Sequence, residues 1–533
     1  MIFKVLPYKS RLPSGAKDVV FLLTDGWDDW FKFATMYNVI YFDGEGEQHR
    51  IGEVKIGQFN MADDQRSPNI PEEFEQLSDE FFSLGQDDSY YQTLKDLGEE
   101  VLDMVLIALR DVAKDAELYE RALKEKVTGI SLLRSVSDTS VRGQFRRIAN
   151  GGARLTPYSF SYTPPDTMRR WTPPPTFNFD VVPKSSPSTN VHVLIGRNGV
   201  GKTYTVNLMT RAVVEPQSEP TSSGIFKING TVGAPSEMDV ERNIFPNIVS
   251  VTFSAFDPFE PLPTRENKAS GVRYHYIGLK HIAKGEDGNP KPPKSPDDLA
   301  TDFGNGVQLI VTQYSMRERW RRALSLLESD PIFKLAEVWR LIDEYEELKE
   351  TLDDRRELSA AIRKSARKLF SKLSSGHKIV LLTITRLVET VAERSLVLLD
   401  EPEAHLHPPL LASLIHSLSD LLVNRNGVAI IATHSPVILQ EVPRTCVWRI
   451  RRSGRQVAVE RPEIETFGEN VGTLTSSIFG LEVTDSGFHK VLSDAIDEGL
   501  DYDGILNRFN GQLGDEGRAI ARSLIATRLV DGG

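Results

Sequence analysis

Cysteine is nearly absent from this chain of 533 residues: Cys446 stands alone. No disulfide can form within one molecule, and a reducing, cytoplasmic location is the default expectation. Long apolar runs are missing too. None approaches the ~20 residues needed to span a bilayer, so no membrane partner is expected. No signal-peptide pattern opens the chain, because the short apolar run Val19–Leu23 is soon ended by Asp25. An excess of positive charge is also lacking. The net charge of −12 argues against a surface coated for nucleic acid, although it leaves a local basic groove open. The candidate clusters are Arg142/Arg146/Arg147, Arg169/Arg170, Arg317/Arg319/Arg321/Arg322 and Arg449/Arg451/Arg452/Arg455. Solvated faces or internal ion pairs are the simpler reading of each. What remains is an ordinary globular composition, 40% hydrophobic and 26% charged, long enough for two to four domains.

Against these absences stands one dense motif. Gly196-Arg197-Asn198-Gly199-Val200-Gly201-Lys202-Thr203 reads G-x-x-x-x-G-K-T and follows the apolar run Val191–Ile195. A buried strand, a glycine-rich turn and a helix are the setting in which backbone N–H groups cradle phosphate oxygens. Lys202 is placed to reach the β- and γ-phosphates and Thr203 to hold Mg²⁺. The helix that follows, with Tyr204 in its first turn, aims its positive end at the same charge.

Three further segments complete a constellation. Leu396-Val397-Leu398-Leu399 is a buried strand with Asp400 and Glu401 at its C-terminal tip, where α/β sheets place their ligands. Asp400 suits a Mg²⁺ hydration shell, and Glu401 is placed to orient or deprotonate a water attacking the γ-phosphate. Ala432-Thr433-His434-Ser435 ends the next strand, so His434 can hydrogen-bond the γ-phosphate. Leu373-Ser374-Ser375-Gly376-His377 precedes the apolar helix Ile379–Val388. Ser374 and the N–H groups of Ser375 and Gly376 there form an anion-binding helix start.

The organisation follows from composition. Residues 1–160 read as an α+β domain, a β-hairpin (Tyr37–Phe42 and Ile51–Phe59 about Asp43–Gly46) followed by helices with the stripe Leu94, Leu97, Val101, Val105 and Leu109. Residues 161–190 read as a Pro-rich connection. The α/β head is assigned to 191–257 and 373–480. A helical insertion, with the stripe Leu335, Val338, Ile342, Tyr345 and Leu348, is assigned to 258–372, with a mobile loop at 284–296. A helical tail covers 481–533. The His405/His407 pair and Asp501/Asp503 do not read as metal or nuclease sites. Trp171, Phe177 and Phe179 are better suited to core packing than to adenine stacking.

In this order, G-R-N-G-V-G-K-T, L-S-S-G-H, L-V-L-L-D-E-P-E-A-H-L-H-P and A-T-H-S-P resemble the ABC-type ATPase heads of the SMC/RecF/OLD group, in its OLD-like branch. The resemblance implies a P-loop NTPase head with a mixed sheet and ATP and Mg²⁺ as cofactors. It also implies a homodimer or higher even-numbered oligomer. One head would contribute the phosphate loop, Asp400, Glu401 and His434. The other would contribute Ser374, Ser375 and Gly376 to the γ-phosphate. The chain departs from the family at Ser375 and His377, where Gly and Gln are usual. The expected glutamine after the second core strand is missing, leaving Ser254 or Asp257 to take its place. Glu465–Phe488 resembles the tail of Septu-type and retron-associated anti-phage ATPases, which work beside a separate nuclease or toxin. The leading expectation is therefore an ATPase that senses or regulates such an effector. A RecF-like ATPase acting on DNA, and a nucleotide-gated scaffold with negligible turnover, are the alternatives.

Overall fold

Short buried runs alternate with longer amphipathic segments, and among the described residues they build three sheets. The computed structural model describes residues 1–531 apart from 26–31, 63, 167–172, 216–221, 230–244, 255–256, 265–271, 284–288, 353, 455 and 480–486. The N-terminal sheet contains β1 (Ile2–Leu6), β2 (Val19–Thr24), β3 (Met36–Phe42), β4 (Gln48–Gln58), β5 (Glu73–Phe74) and β6 (Phe81–Gly85), in the order β5-β1-β2-β3-β4-β6. β3 and β4 pair antiparallel about the Asp43–Gly46 turn. Helices Asp88–Asp96 and Glu99–Ala108 pack on this sheet and share its core. Gly98, at φ 117°, splits the leucine–valine stripe between the two helices.

The Pro-rich stretch holds more structure than a connection. β7 (Tyr158–Thr163) and β8 (Phe177–Val181) lie within or across the 161–190 segment; β9 (Val191–Ile195) follows, and β10 (Ile225–Ile228) completes the antiparallel order β10-β7-β8. Tyr158, Phe160 and Tyr162, like Phe177, Phe179 and Val181, alternate and are buried, while the prolines fall outside the strands, where no ladder N–H is needed. Phe177 and Phe179 are thus core residues; Trp171 lies outside the described residues.

The central sheet adds β11 (Asn247–Thr252), β12 (Arg273–Gly278), β13 (Leu396–Asp400), β14 (Val428–Thr433), β15 (Val447–Ser453) and β16 (Gln456–Glu460). Its order is β12-β11-β13-β14-β9-β15-β16, parallel except for the β15–β16 hairpin. β12 lies in the stretch read as a helical insertion, so the sheet reaches residue 278. Covered on both faces, β9, β13 and β14 are buried throughout, which explains their unbroken apolar runs. Alternation divides them: Val397 and Leu399 join the core under the helices, and Leu396 and Leu398 join the core under the β7–β8 sheet.

Helices Pro296–Val311, Tyr314–Leu327, Pro331–Ala336, Arg340–Thr351 and Arg355–Ser371 follow β12. Leu335 is 83% exposed and leaves the expected stripe, because Glu337 at φ 45° breaks the helix before Val338. Of the expected loop, residues 284–288 lie outside the described residues. Helices Gly487–Asp497, Tyr502–Arg508 and Asp515–Asp531 form a small core of their own around Leu492 and Ile505. Asp501 caps the second of these helices through the Gly504 N–H. Among the described residues, no helix is long and apolar enough to cross a membrane.

Ion pairs fix the N-terminal domain to the head. Arg425, just past helix Pro408–Asn424, donates to Asp87 at 2.7 Å and also to Asp88. Arg319 reaches Asp87 at 3.2 Å and Arg147 reaches Glu393 at 2.6 Å, while Arg154, within the N-terminal domain, holds Asp88 at 2.6 Å. The Tyr314 N–H donates to Glu53 at 3.1 Å. Much of the arginine seen in the sequence clusters is spent in carboxylate pairs, here and with Glu120, Glu346, Asp420 and Glu460. Arg169, Arg170 and Arg455 lie outside the described residues.

Candidate active site at the strand ends

β9 runs into the phosphate loop with β14 on one side and β15 on the other. A Cβ at Gly196 would stand 2.5 Å from the Ile450 carbonyl oxygen, so only glycine lets the loop pass β15. Gly199 and Gly201 meet nothing; there the need is their positive φ of 80° and 102°. Asn198 and Gly199 are exposed, as is Tyr204, whose ring lies 6.0 Å from that of Phe259. Lys202 is buried, and its Nζ donates to the carbonyls of Gly196 and Arg197, both at 2.9 Å. Burial lowers its pKa, opposed by the charges of Glu401, Glu403 and Asp400.

Thr203, in the first turn of helix Lys202–Val214, donates its hydroxyl to Asp400 Oδ1 at 3.0 Å. This bond joins two segments read separately in the sequence. Alternation puts Asp400 on the Leu398 face of β13, the face that carries the helix. Burial pushes the Asp400 carboxyl up to about 7; the Thr203 bond opposes this, while Glu401 and Asp257 add to it. Asp257 lines one cavity with Thr203, Asn207 and Asp400. A hydroxyl and carboxylates whose charges repel, lining one cavity, are oxygen donors of the kind that fit a hard divalent cation. Ser254 is described but is not drawn into that cavity's lining.

Glu401 leaves the strand in the left-handed region, at φ 46°, with its N–H still bonded to the Ala432 carbonyl at 2.8 Å. Such conformations in a non-glycine residue cost on the order of 1–3 kcal/mol and concentrate at functional sites. His434 Nδ1 lies 3.5 Å from Glu401 Oε1 and 3.2 Å from Glu403 Oε1. Glu403 was not singled out by sequence. Its Oε1 accepts from the Thr433 hydroxyl at 2.5 Å and the His434 N–H at 2.9 Å, which ties the end of β14 to the loop after Glu401. Its signal was the repeated carboxylate in Glu401-Pro402-Glu403.

The Ser374 segment sits elsewhere. Ser374 and Ser375 are exposed at the start of helix Ser375–Thr390. A Cβ at Gly376 would stand 2.8 Å from the His405 carbonyl oxygen, so the segment packs on the loop after Glu401. Among the described residues, the Ser374 hydroxyl bonds His377 Nδ1 at 2.6 Å and no phosphate-loop residue. His377 Nε2 meets Asp330 Oδ1 at 3.1 Å. Asp330 was not legible as a site residue. Burial raises its carboxyl, but the His377 bond and the N–H groups of Ile332 and Phe333 outweigh burial and hold it below its ordinary value. His407 Nε2 lies 3.7 Å from Asp330 Oδ2.

Residues 305–440, which carry Ser374, Asp400, Glu401 and His434, match the family described as "AAA domain, putative AbiEii toxin, Type IV TA system". Among solved structures, an ATP-binding cassette of an ABC transporter in its ADP conformation aligns at 13% identity over 58% of this chain and 94% of that one, with a TM-score of 0.27. A bacterial Atm1-family ABC exporter with ATP bound aligns at 14% over 63% and 42%, with a TM-score of 0.23. The phosphate loop and the parallel sheet that carries it give this region a P-loop NTPase fold, and the family match covers the part that bears Asp400 and His434. Protein ea59 of Escherichia phage lambda is 41% identical over 535 residues, covering 99% of this chain and 98% of that protein, and the chain belongs to its family.

Proposed function

We propose that the protein binds ATP with Mg²⁺ at Gly196–Tyr204, hydrolyses it in a head-to-head homodimer, and uses the cycle to control a separate effector. The observation that carries this reading is the Thr203–Asp400 hydrogen bond, with Glu401 displaced from the strand beside it. Lys202 and the loop N–H groups hold the β- and γ-phosphates. Thr203 and Asp400 hold Mg²⁺, which when bound supplies positive charge to the phosphate oxygens. Glu401 orients and deprotonates the attacking water, and His434, steadied by Glu403, donates to the γ-phosphate. Ser374, Ser375 and Gly376 contact the γ-phosphate from the second head, which fits the exposure of Ser374 and Ser375 and the separation of the segment from the phosphate loop of its own chain.

The effector role draws support from three places. The N-terminal domain contributes none of the residues at the strand ends and offers a surface for a partner. The relative is a phage protein, and the matched family description names a toxin system; both fit a contest between phage and host. The Glu465–Phe488 resemblance fits anti-phage ATPases with a nuclease partner, and residues 480–486 of that segment lie outside the described residues.

The full chain with Mg²⁺ and ATP is expected to release phosphate at steady state. Glu401→Gln is expected to retain ATP and run as a dimer on a sizing column. Absence of phosphate release, or a Glu401→Gln variant that stays monomeric in saturating ATP, overturns the reading.

A further inference from the structure

Ser374 is joined through hydrogen bonds to His377 and Asp330, two residues that the reading above leaves unused. This chain of bonds starts at an exposed hydroxyl and ends on a buried carboxylate, with His377 and Asp330 side chains only 4% and 5% exposed. The imidazole is clamped from three sides. Helix Ser375–Thr390 carries it, the Phe333 ring meets it edge-on at 5.0 Å, and the His407 ring lies 6.2 Å away. Asp330 Oδ1 is itself fixed by the N–H groups of Ile332 at 2.8 Å and Phe333 at 3.3 Å. The titratable groups facing His377 are thus Asp330, from the helical region, and His407, from the loop after Glu401.

Donor–acceptor logic gives this chain two states. An ionised carboxylate only accepts, so His377 Nε2 carries a proton toward Asp330. With a neutral ring, Nδ1 is a bare acceptor and takes the Ser374 O–H. Ser374 then shows only lone pairs to its surroundings, and a phosphate oxygen, also an acceptor, finds no donor. With a protonated ring, Nδ1–H donates to Ser374 Oγ and leaves the O–H free to point outward.

We propose that the Asp330–His377 pair is a positioning device for the hydroxyl proton of Ser374, so that Ser374 donates to the γ-phosphate of the partner head's nucleotide only while the His377 ring is protonated. This rests on the reading that Ser374 meets that phosphate. No proton leaves the chain of residues: it stays on the ring while the hydroxyl reorients. A side-chain amide in place of His377 could donate at any pH, whereas the imidazole donates from Nδ1 only when protonated, which makes the contact pH-gated. Asp330 also faces His407, so the residue that sets Ser374 for the partner's nucleotide touches the loop that follows the protein's own Glu401.

The test is ATP turnover by the full chain between about pH 5.5 and 8.5, where imidazoles change charge. Wild type should lose kcat, with little change in KM, as pH rises through that range. His377→Gln should abolish that limb, and Ser374→Ala should remove it together with most of the turnover. Asp330→Asn can still accept from Ile332 and Phe333 but cannot stabilise a protonated ring. It should move the limb to lower pH and cut turnover at pH 7 about tenfold, the scale of one hydrogen bond to a charged group. His407→Asn should leave the limb where it is. Binding of a fluorescent ATP analogue to each variant reports that the fold and the phosphate loop are intact. If His377→Gln keeps the wild-type limb, or Asp330→Asn lowers turnover equally at every pH, the inference falls while the dimer reading stands. If Ser374→Ala keeps full turnover, both fall.

Discussion

The nucleotide face and the seam between the domains are built from the same side chains and treat them in opposite ways. At the seam, Asp87 and Asp88 are buried and gripped by Arg425, Arg319 and Arg154. Arg425 and Arg319 hold the Asp87 carboxyl well below its ordinary value against the pull of burial. At the strand ends, His434 is 46% exposed, Glu401 is 31% exposed and strained, and Asp400 faces other carboxylates. One region satisfies its charges with protein; the other leaves them for a ligand to satisfy. Stability should therefore concentrate at the seam and chemistry at the strand ends.

The sharpest way to break that contrast is Arg425→Ala. Two buried carboxylates would lose their main cation, at a cost of about 3–5 kcal/mol. Denaturant unfolding measures it, and a loss below about 1 kcal/mol would show that apolar packing, rather than charge, holds the seam. Lys202→Ala should do the converse. Turnover should fall at least about 100-fold, or about 2.7 kcal/mol, with no loss of stability, because a desolvated cation is removed. A large drop in its unfolding midpoint would blur the comparison.

Glu53 sharpens it through pH. Burial raises its carboxyl to about 6, with the Tyr314 N–H opposing. The folded state thus favours the protonated form, so the contribution to stability is full below pH ~4.5 and is lost as pH rises through about 6. Glu53→Gln should gain up to about 2 kcal/mol over wild type at pH 8 and nothing at pH 4. Thermal melts at the two pH values check this. The smallest effect expected is that of Glu403→Gln. It keeps the shape but weakens the bonds to Thr433 and His434, costing about 1 kcal/mol, or roughly fivefold in turnover, with melting nearly unchanged.

Legibility in the sequence followed locality. The phosphate loop and the Asp400–Glu401 tip were plain because each is one continuous run, and strands buried on both faces write themselves as unbroken apolar stretches. β7 and β8 were obscured: their aromatic alternation is clear at Tyr158-x-Phe160-x-Tyr162, but the surrounding prolines suggested a linker. The breaks at Gly98 and Glu337 were hidden because a stripe of apolar residues continues across each. Asp330–His377 and Asp87–Arg425 join residues 47 and 338 positions apart. Nothing local marks a carboxylate whose partner arrives from another element. Glu403 lay in plain view, but its role shows only once β14 is laid beside β13.

The place of β9 in its sheet has a consequence for synthesis. Its hydrogen-bonding neighbours are β14 and β15, which end at Thr433 and Ser453. When Gly196–Thr203 emerges from the ribosome, neither flank exists, and both appear only after tens of seconds at about 5–20 residues per second. Until then an apolar strand must wait unpaired, open to the wrong partner. The phosphate loop, written early in the chain, is among the last parts to become a binding site.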